Sequence, residues 1–434
     1  MNGNTATLRR LPTLSRIAGL VALVVICLAG APASPADAQT MGEITDADRE
    51  AIAELLESRA RSTLQRDLQT FMSTVDPTSK SFAARQRELF DGASLVPFES
   101  YTLEAVWDRY GDMRRPSDAD RYQDADNISI PVVEERYRIQ SQDESDVVEE
   151  LFLTFVKRDG RWLVAADDDL NDLGFLSARH VWDYGPVQLE NHGRFTTLTP
   201  TCCPGVPARL LDVAEAGYER ASRFWSGARP KRVLVMVPAD GVQLKRILQA
   251  TFDIDDFVAF ALSFVDPTNG FSYSGPRIIF GPGAFGGDSS GRILNIMAHE
   301  LLHVMTRPAS SVFVPIFLEE GFADYTGHDA DPGALGHLRS VVASGEFDGE
   351  FPEDYEFTTG DSLDIYTSYQ EGHSAVRYFV EQWGLANFNR FYLDLGGRRI
   401  EPGVTRYHVD AAMQDTVGVG FDAFERGWAS SINS

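Results

Sequence analysis

The chain has 434 residues, 43% of them hydrophobic and 24% charged. That is an ordinary globular composition, too long for one small core, and two domains are expected. A formal charge of −25 argues against a surface built for nucleic acid or anionic membranes.

The first 38 residues read as an export signal. Arg9, Arg10 and Arg16 lead into an apolar run from Ile17 to Ala31, and Ala36-Asp37-Ala38 is a small-x-small cleavage site. The run is shorter than the ~20 residues of a membrane helix, and no later stretch is long enough to span a bilayer. A secreted or periplasmic location with cleavage after Ala38 is expected, an uncleaved anchor being the alternative. Beyond that segment only Cys202 and Cys203 remain. Being adjacent, they either stay free or form a strained neighbour-to-neighbour disulfide, and they lack zinc-ligand spacing.

After a loose leader, Ile52, Leu55, Leu56, Ala60, Leu64, Leu68 and Phe71 recur at helical steps, predicting one helix from Asp46 to Thr74. A second helix is expected over Ser81–Phe90. Tyr101–Tyr110, Ile128–Ser141 and Val147–Lys157 read as strands, rich in Val, Ile, Tyr and Phe. Asp159-Gly160 supplies the turn of a hairpin between Leu151–Lys157 and Trp162–Ala166. Helices first and an antiparallel sheet after them make a small α+β domain over 43–172. Its order of elements and its closing "DGRW" hairpin resemble the cone-shaped fold of nuclear transport factor 2 and its SnoaL-like relatives. The resemblance implies an accessory or ligand-holding domain.

A second domain, 174–434, opens with an amphipathic helix over Ala208–Trp225 that Pro230 ends. Arg232–Val237 reads as a buried strand, Gln243–Leu248 and Asp255–Leu262 as helices, Arg277–Phe280 as a strand and Gly281–Gly291 as a loop. Ser289 or Ser290 can cap a helix running to about Met305.

That helix holds His299-Glu300-Leu301-Leu302-His303. Histidines four residues apart project from one face and can reach one zinc ion at ~2.0–2.1 Å, with Glu300 one step round the helix. The pattern arises by chance in roughly one chain in a hundred of this size. A further helix begins after Pro315 and carries Phe317-Leu318-Glu319-Glu320-Gly321-Phe322-Ala323-Asp324-Tyr325. Only one of Glu319 and Glu320 can face the ion. Asp324 shares the face of Glu320 and can accept the other N–H of a zinc-bound histidine, His299 by preference.

"HELLH", "FLEEGFADY" and "YQEGHSAVRYFVEQWG" from Tyr369 to Gly384, with a closing helix at Phe421–Trp428, resemble the gluzincin metallopeptidases of the peptidase MA group. The resemblance covers about 208–432. It implies a mostly helical zincin-type domain with a small sheet, whose edge strand, for which Arg277–Phe280 is the candidate, could pair with an extended peptide. It assigns His299, His303 and Glu320 to one Zn2+ per chain, Asp324 behind them, and Glu300 as general base. Tyr369 matches the family tyrosine that donates to the developing oxyanion, with Tyr366 and His373 as alternatives. The related aminopeptidases carry an acidic anchor for the substrate's free amine, whereas Gly281-Pro282-Gly283-Ala284-Phe285 has no carboxylate.

The expected function is a secreted zinc metallopeptidase that hydrolyses peptide or protein substrates, with no nucleic-acid partner and no membrane span after signal removal. A zinc hydrolase of a non-peptide amide or ester shares the same attack chemistry. A non-catalytic zinc- and ligand-binding exported protein is a third reading, against which intact Glu300 speaks.

Overall fold

The computed structural model describes residues 43–110, 119–122, 124–203, 206, 208–250, 254, 257–266, 272–282, 289–398 and 405–432. The expected export signal and residues 283–288 of the glycine-rich loop, including Gly283, Ala284 and Phe285, lie outside the described residues.

Thr45 and Asp48 cap each other's backbone N–H at the start of α1 (Asp46–Gln65). The single helix expected through Thr74 is broken. Arg66 takes a left-handed φ of 59° and Asp67 caps a separate short helix, α2 (Leu68–Ser73). Helix α3 (Lys80–Ala93) follows. The strands are β1 (Phe98–Val106), β2 (Asn127–Ser129), β3 (Val132–Ile139), β4 (Val147–Phe152), β5 (Thr154–Arg158) and β6 (Arg161–Ala166). Two segments expected as single strands are therefore each split. Ile130-Pro131 interrupts the first, where Pro lacks an N–H for the ladder, and Leu153 interrupts the second. The antiparallel sheet is divided into β1-β3-β4 and β2-β5-β6. Asp159 and Gly160 both have positive φ, as a two-residue hairpin turn of this type requires.

Glu135 on β3 and Glu149 on β4 are cross-strand partners. His180, from the segment that leaves this sheet, lies between them, with Nε2 2.7 Å from Glu135 and Nδ1 3.6 Å from Glu149. Tyr101 and Tyr137 donate their hydroxyls to Glu135 and Glu149, and the His180 ring stacks on Trp182.

The second half is built on a five-stranded sheet in the order β10-β11-β9-β8-β7. Its strands are β7 (Val187–His192), β8 (Phe195–Pro200), β9 (Val233–Met236), β10 (Ala259–Asp266) and β11 (Ser272–Phe280). The β7–β8 hairpin has no counterpart in the expected elements. Asp255–Leu262, expected as a helix, is corrected. Residues 255 and 256 lie outside the described set, and from Ala259 the chain is strand β10. Its apolar run suits either structure by periodicity, and burial on both faces is what makes it continuous: Phe260 and Ala261 are equally inaccessible. A second correction concerns the edge. β11 pairs with β10 on one side and β9 on the other, so Arg277–Phe280 cannot accept a peptide strand. Among the described residues, β10 pairs only with β11.

Helix α4 (Ala208–Phe224) crosses between β8 and β9, and α5 (Gly241–Ile247) follows β9. The remainder is helical: α6 (Ser290–Thr306), α7 (Ile316–Gly327), α8 (Gly336–Ser344), α9 (Ser362–Trp383), α10 (Leu385–Gly397), α11 (Thr405–Val417) and α12 (Phe421–Ile432). None of the described helices is long and apolar enough to cross a membrane.

The two halves share one apolar core that includes Tyr137, Ile139, Val147 and Trp182 with Phe264, Ile278 and Leu301. Arg277 of β11 spans the seam. It is 1% exposed and donates to Asp143 at 2.8 Å and to the Tyr137 hydroxyl at 3.3 Å.

Burial opposes charge on His180, but Glu149 and Glu135 outweigh it and hold its pKa at about 9. Burial lifts Glu149 to about 7, with His180 pulling the other way. The folded chain therefore holds protons that the unfolded chain releases, where His titrates near ~6.5. Stability from His180 is complete below that value and is lost as pH rises through about 9; Glu149 acts with the same sign at lower pH. Urea unfolding is expected to show stability falling by roughly 3 kcal/mol as pH rises from ~6.5 through about 9, and His180→Gln to flatten the slope.

Candidate metal centre

The candidate site lies where α6, α7 and α9 meet. Ser289 caps α6, its hydroxyl accepting from Arg292 N, and α6 is buried continuously from Ile296 to Thr306. At Gly217 of α4 an added Cβ would lie 2.7 Å from Met297, so α4 presses against this helix at the turn before His299. Pro315 starts α7, which is buried from Phe317 to Gly327.

Helices α7 and α9 cross at two glycines. A Cβ on Gly321 would stand 2.3 Å from the Gly372 carbonyl oxygen, and one on Gly372 would stand 2.7 Å from that of Phe317. This backbone contact explains the glycine after Glu320 and the one three residues after Tyr369. Farther along α9, Ser374 accepts from the indole N–H of Trp428 at 2.8 Å, which ties α12 to the same helix.

Three donors converge. His299 Nε2 lies 3.2 Å from Glu320 Oε2 and 3.2 Å from His303 Nε2, and His303 Nε2 lies 3.3 Å from Glu320 Oε2. Bonds of about 2.0–2.1 Å to a tetrahedral zinc would place ligand atoms roughly 3.3–3.4 Å apart. The triangle therefore fits one face of a zinc coordination shell, and the donor set, two imidazoles and a carboxylate, is one that zinc accepts. All three side chains are buried. Glu135, Glu149 and His180 also cluster. There the imidazole stands between the carboxylates and turns a different nitrogen to each, which is a bridge of hydrogen bonds and charge rather than a chelate.

Asp324 lies on the opposite side of the His299 ring, with Oδ1 3.3 Å from Nδ1. Its other oxygen is 3.7 Å from His373 Nδ1, and His328 approaches at 4.0 Å. His373 is thus behind Asp324, away from the face that the three donors share, and the alternative of His373 as an oxyanion donor is corrected. The Tyr366 hydroxyl accepts from Gln370, and its ring stacks on His337. Tyr369, fully buried, has its ring centroid 6.5 Å from that of His299 and 5.2 Å from that of Phe357. It sits two turns inside α9 rather than at a helix start.

Electrostatics divides these groups. Burial opposes charge on His299, but hydrogen bonds to Asp324 and Glu320 prevail and raise it to about 10. Burial lowers His303 to about 4. Burial disfavours the Glu320 anion, yet His303 and His299 draw it down to about 2. Burial pushes Glu300 well above the usual carboxylate range, His299 opposing and Glu320 assisting. Glu300 Oε2 makes no hydrogen bond among the described residues.

Glu319 faces away from the triangle. Both of its oxygens accept from Arg307 Nη1, at 3.0 and 2.8 Å, and one also accepts from Ser310 at 2.7 Å. Arg307 and the supporting place of His373 are absent from the sequence reading. The signals available were a lone cation one turn after His303 and a histidine one turn after Tyr369. A cleft of about 930 Å3 lies elsewhere, between α3, the 167–184 segment and α5, and no residue of either cluster lines it.

No protein-family model matches the chain, and no curated protein matches it. Solved structures to which the chain is similar include the M1 zinc metallopeptidase from Deinococcus radiodurans, 13% identical, with a TM-score of 0.33 over 64% of this chain and 58% of that one. A mutant two-domain M1 zinc metallopeptidase bound to L-arginine gives 13%, 0.33, 65% and 60%. A mutant of such an enzyme bound to L-tryptophan gives 14%, 0.30, 64% and 59%. The chain spans about three fifths of the length of these structures.

Two outcomes are expected. Asp324→Ala should weaken zinc affinity by roughly 10–100-fold, read by competition with a chromophoric chelator. Gly321→Ala should lower stability by about 1–3 kcal/mol, because two backbones must separate; thermal unfolding measures it.

Proposed function

We propose that this chain is a zinc-dependent peptidase, exported from the cell, in which His299, His303 and Glu320 hold one zinc ion and Glu300 is the general base. The observation that carries this reading is the triangle of donor atoms at 3.2, 3.2 and 3.3 Å, with a buried carboxylate from the next residue of the same helix. A zinc ion bound there would acidify a water and polarise a substrate carbonyl.

The chain's own residues supply the rest. Glu300 is displaced round α6 from its two histidine neighbours, so it takes a proton without occupying a ligand position. It accepts the proton of the attacking water and returns it to the departing amine. Asp324 fixes the tautomer of His299 by accepting at Nδ1, which leaves Nε2 as the donor towards the ion. Tyr369 is the donor for the oxyanion. An extended peptide would lie along β10, whose outer side pairs with no strand among the described residues. The N-terminal α+β unit serves as an accessory domain docked through Arg277 and the shared core.

A panel of quenched peptides, with and without chelator, tests the assignment. Glu300→Gln should lower kcat by at least about 100-fold with zinc content unchanged at one per chain. Tyr369→Phe should lower kcat by roughly 100-fold with little change in KM. Full activity in Glu300→Gln, or activity indifferent to chelator, would refute the mechanism.

A further inference from the structure

Two acidic residues stand side by side on α7, and each is long enough to compete for the same ion. Successive residues point roughly 100° apart round a helix, so exchanging Glu320 for Glu319 would take a rotation of about that angle, and a smaller one would bring both within reach of the ion. A second carboxylate would also fill the coordination position that a water and a substrate need.

Arg307 stands at the point that controls this rotation. Its backbone N–H donates to the His303 carbonyl at the end of α6, so the residue is anchored to the helix that carries both histidines. Its Nη1 donates to both oxygens of Glu319, Ser310 closes on the same carboxylate, and the guanidinium lies 4.4 Å over the Tyr273 ring. Both charged side chains are 2% exposed. The geometry points to Arg307 as a positioning residue: by capturing Glu319 it sets the rotation of α7, presents Glu320 alone to the zinc, and keeps the fourth coordination position open. This inference rests on the zinc reading given under Proposed function.

Stability alone does not account for the pair. Withdrawing a guanidinium and a carboxylate from water costs several kcal/mol per ion, and apolar side chains of similar volume often hold two helices together as well or better. What apolar packing lacks is direction. Donor and acceptor geometry restricts the angle at which Glu319 leaves α7, and Glu320 is the next residue.

The test uses the full exported chain, loaded with zinc for affinity and with cobalt(II) for spectroscopy. Chelator competition on Arg307→Met should show zinc affinity lowered roughly 10–100-fold. Its cobalt(II) visible band should weaken, because the freed Glu319 draws Glu320 off the triangle and water makes up the shell, and four-coordinate cobalt absorbs more strongly than higher-coordinate cobalt. Arg307→Met/Glu319→Gln should recover much of the band and of the affinity, although it restores no ion pair. If Arg307→Met does not fold, Arg307→Gln, which keeps a polar side chain but removes the charge that captures Glu319, carries the same comparison. A folded single variant with unchanged affinity and band overturns the inference, as does a double variant no different from the single. A wild-type chain that takes up no zinc overturns both this inference and the proposed function, and the wild-type arm reports that separately.

Discussion

Burying charge is expensive unless each charge finds a partner, and that constraint organises the centre of this protein. His299, Glu300, His303, Arg307, Glu319, Glu320, Asp324 and His373 are all buried where three helices meet. Arg307 is matched to Glu319, and Asp324 to His299 and His373. Two imidazoles and Glu320 share a triangle that a divalent cation would complete. The surrounding packing is shaped to hold these pairs. The glycine crossing of α7 and α9 brings the supporting residues within reach, and the ends of α6 are fixed by Ser289 and by Arg307.

Helices with a chemical task were the most legible part of the sequence. The four-residue spacing of His299 and His303 requires a shared helical face, and the structure brings both nitrogens to 3.2 Å. Asp324 was readable for the same reason, being one turn from Glu320. Which of Glu319 and Glu320 faces the histidines was not a matter of spacing at all. It depends on Arg307, whose side chain crosses from one helix to the next. The place of His373 behind Asp324 was not legible, because a helix face says nothing about which neighbour stands opposite it. The strands were harder. The run Phe257–Leu262 is apolar at every step, so its periodicity does not separate helix from strand, and only its place beside β11 decides. The edge position was misassigned to Arg277–Phe280 because strand order depends on pairings far apart in sequence.

The N-terminal unit is more closely joined to the second half than a composition shift near residue 174 suggests. Its β3 and β4 contribute to the apolar core that also includes residues of β10 and β11. β7 and β8 precede residue 207 yet occupy one side of the five-stranded sheet. A cut just before α4 would therefore remove two strands from the five-stranded sheet. Within the unit, the His180 bridge gives the docked arrangement a preference for the protonated state.

The Arg277–Asp143 contact joins residues 134 positions apart. A chain emerging from the ribosome presents Asp143 and the apolar side of β3 and β4 long before Arg277 has been made. Such non-local closure is slow, because the entropy of a long loop must be overcome before the contact repays it. Until then the early half carries an uncovered sticky face. Timing of synthesis and chaperone cover thus become part of how this fold reaches its final form.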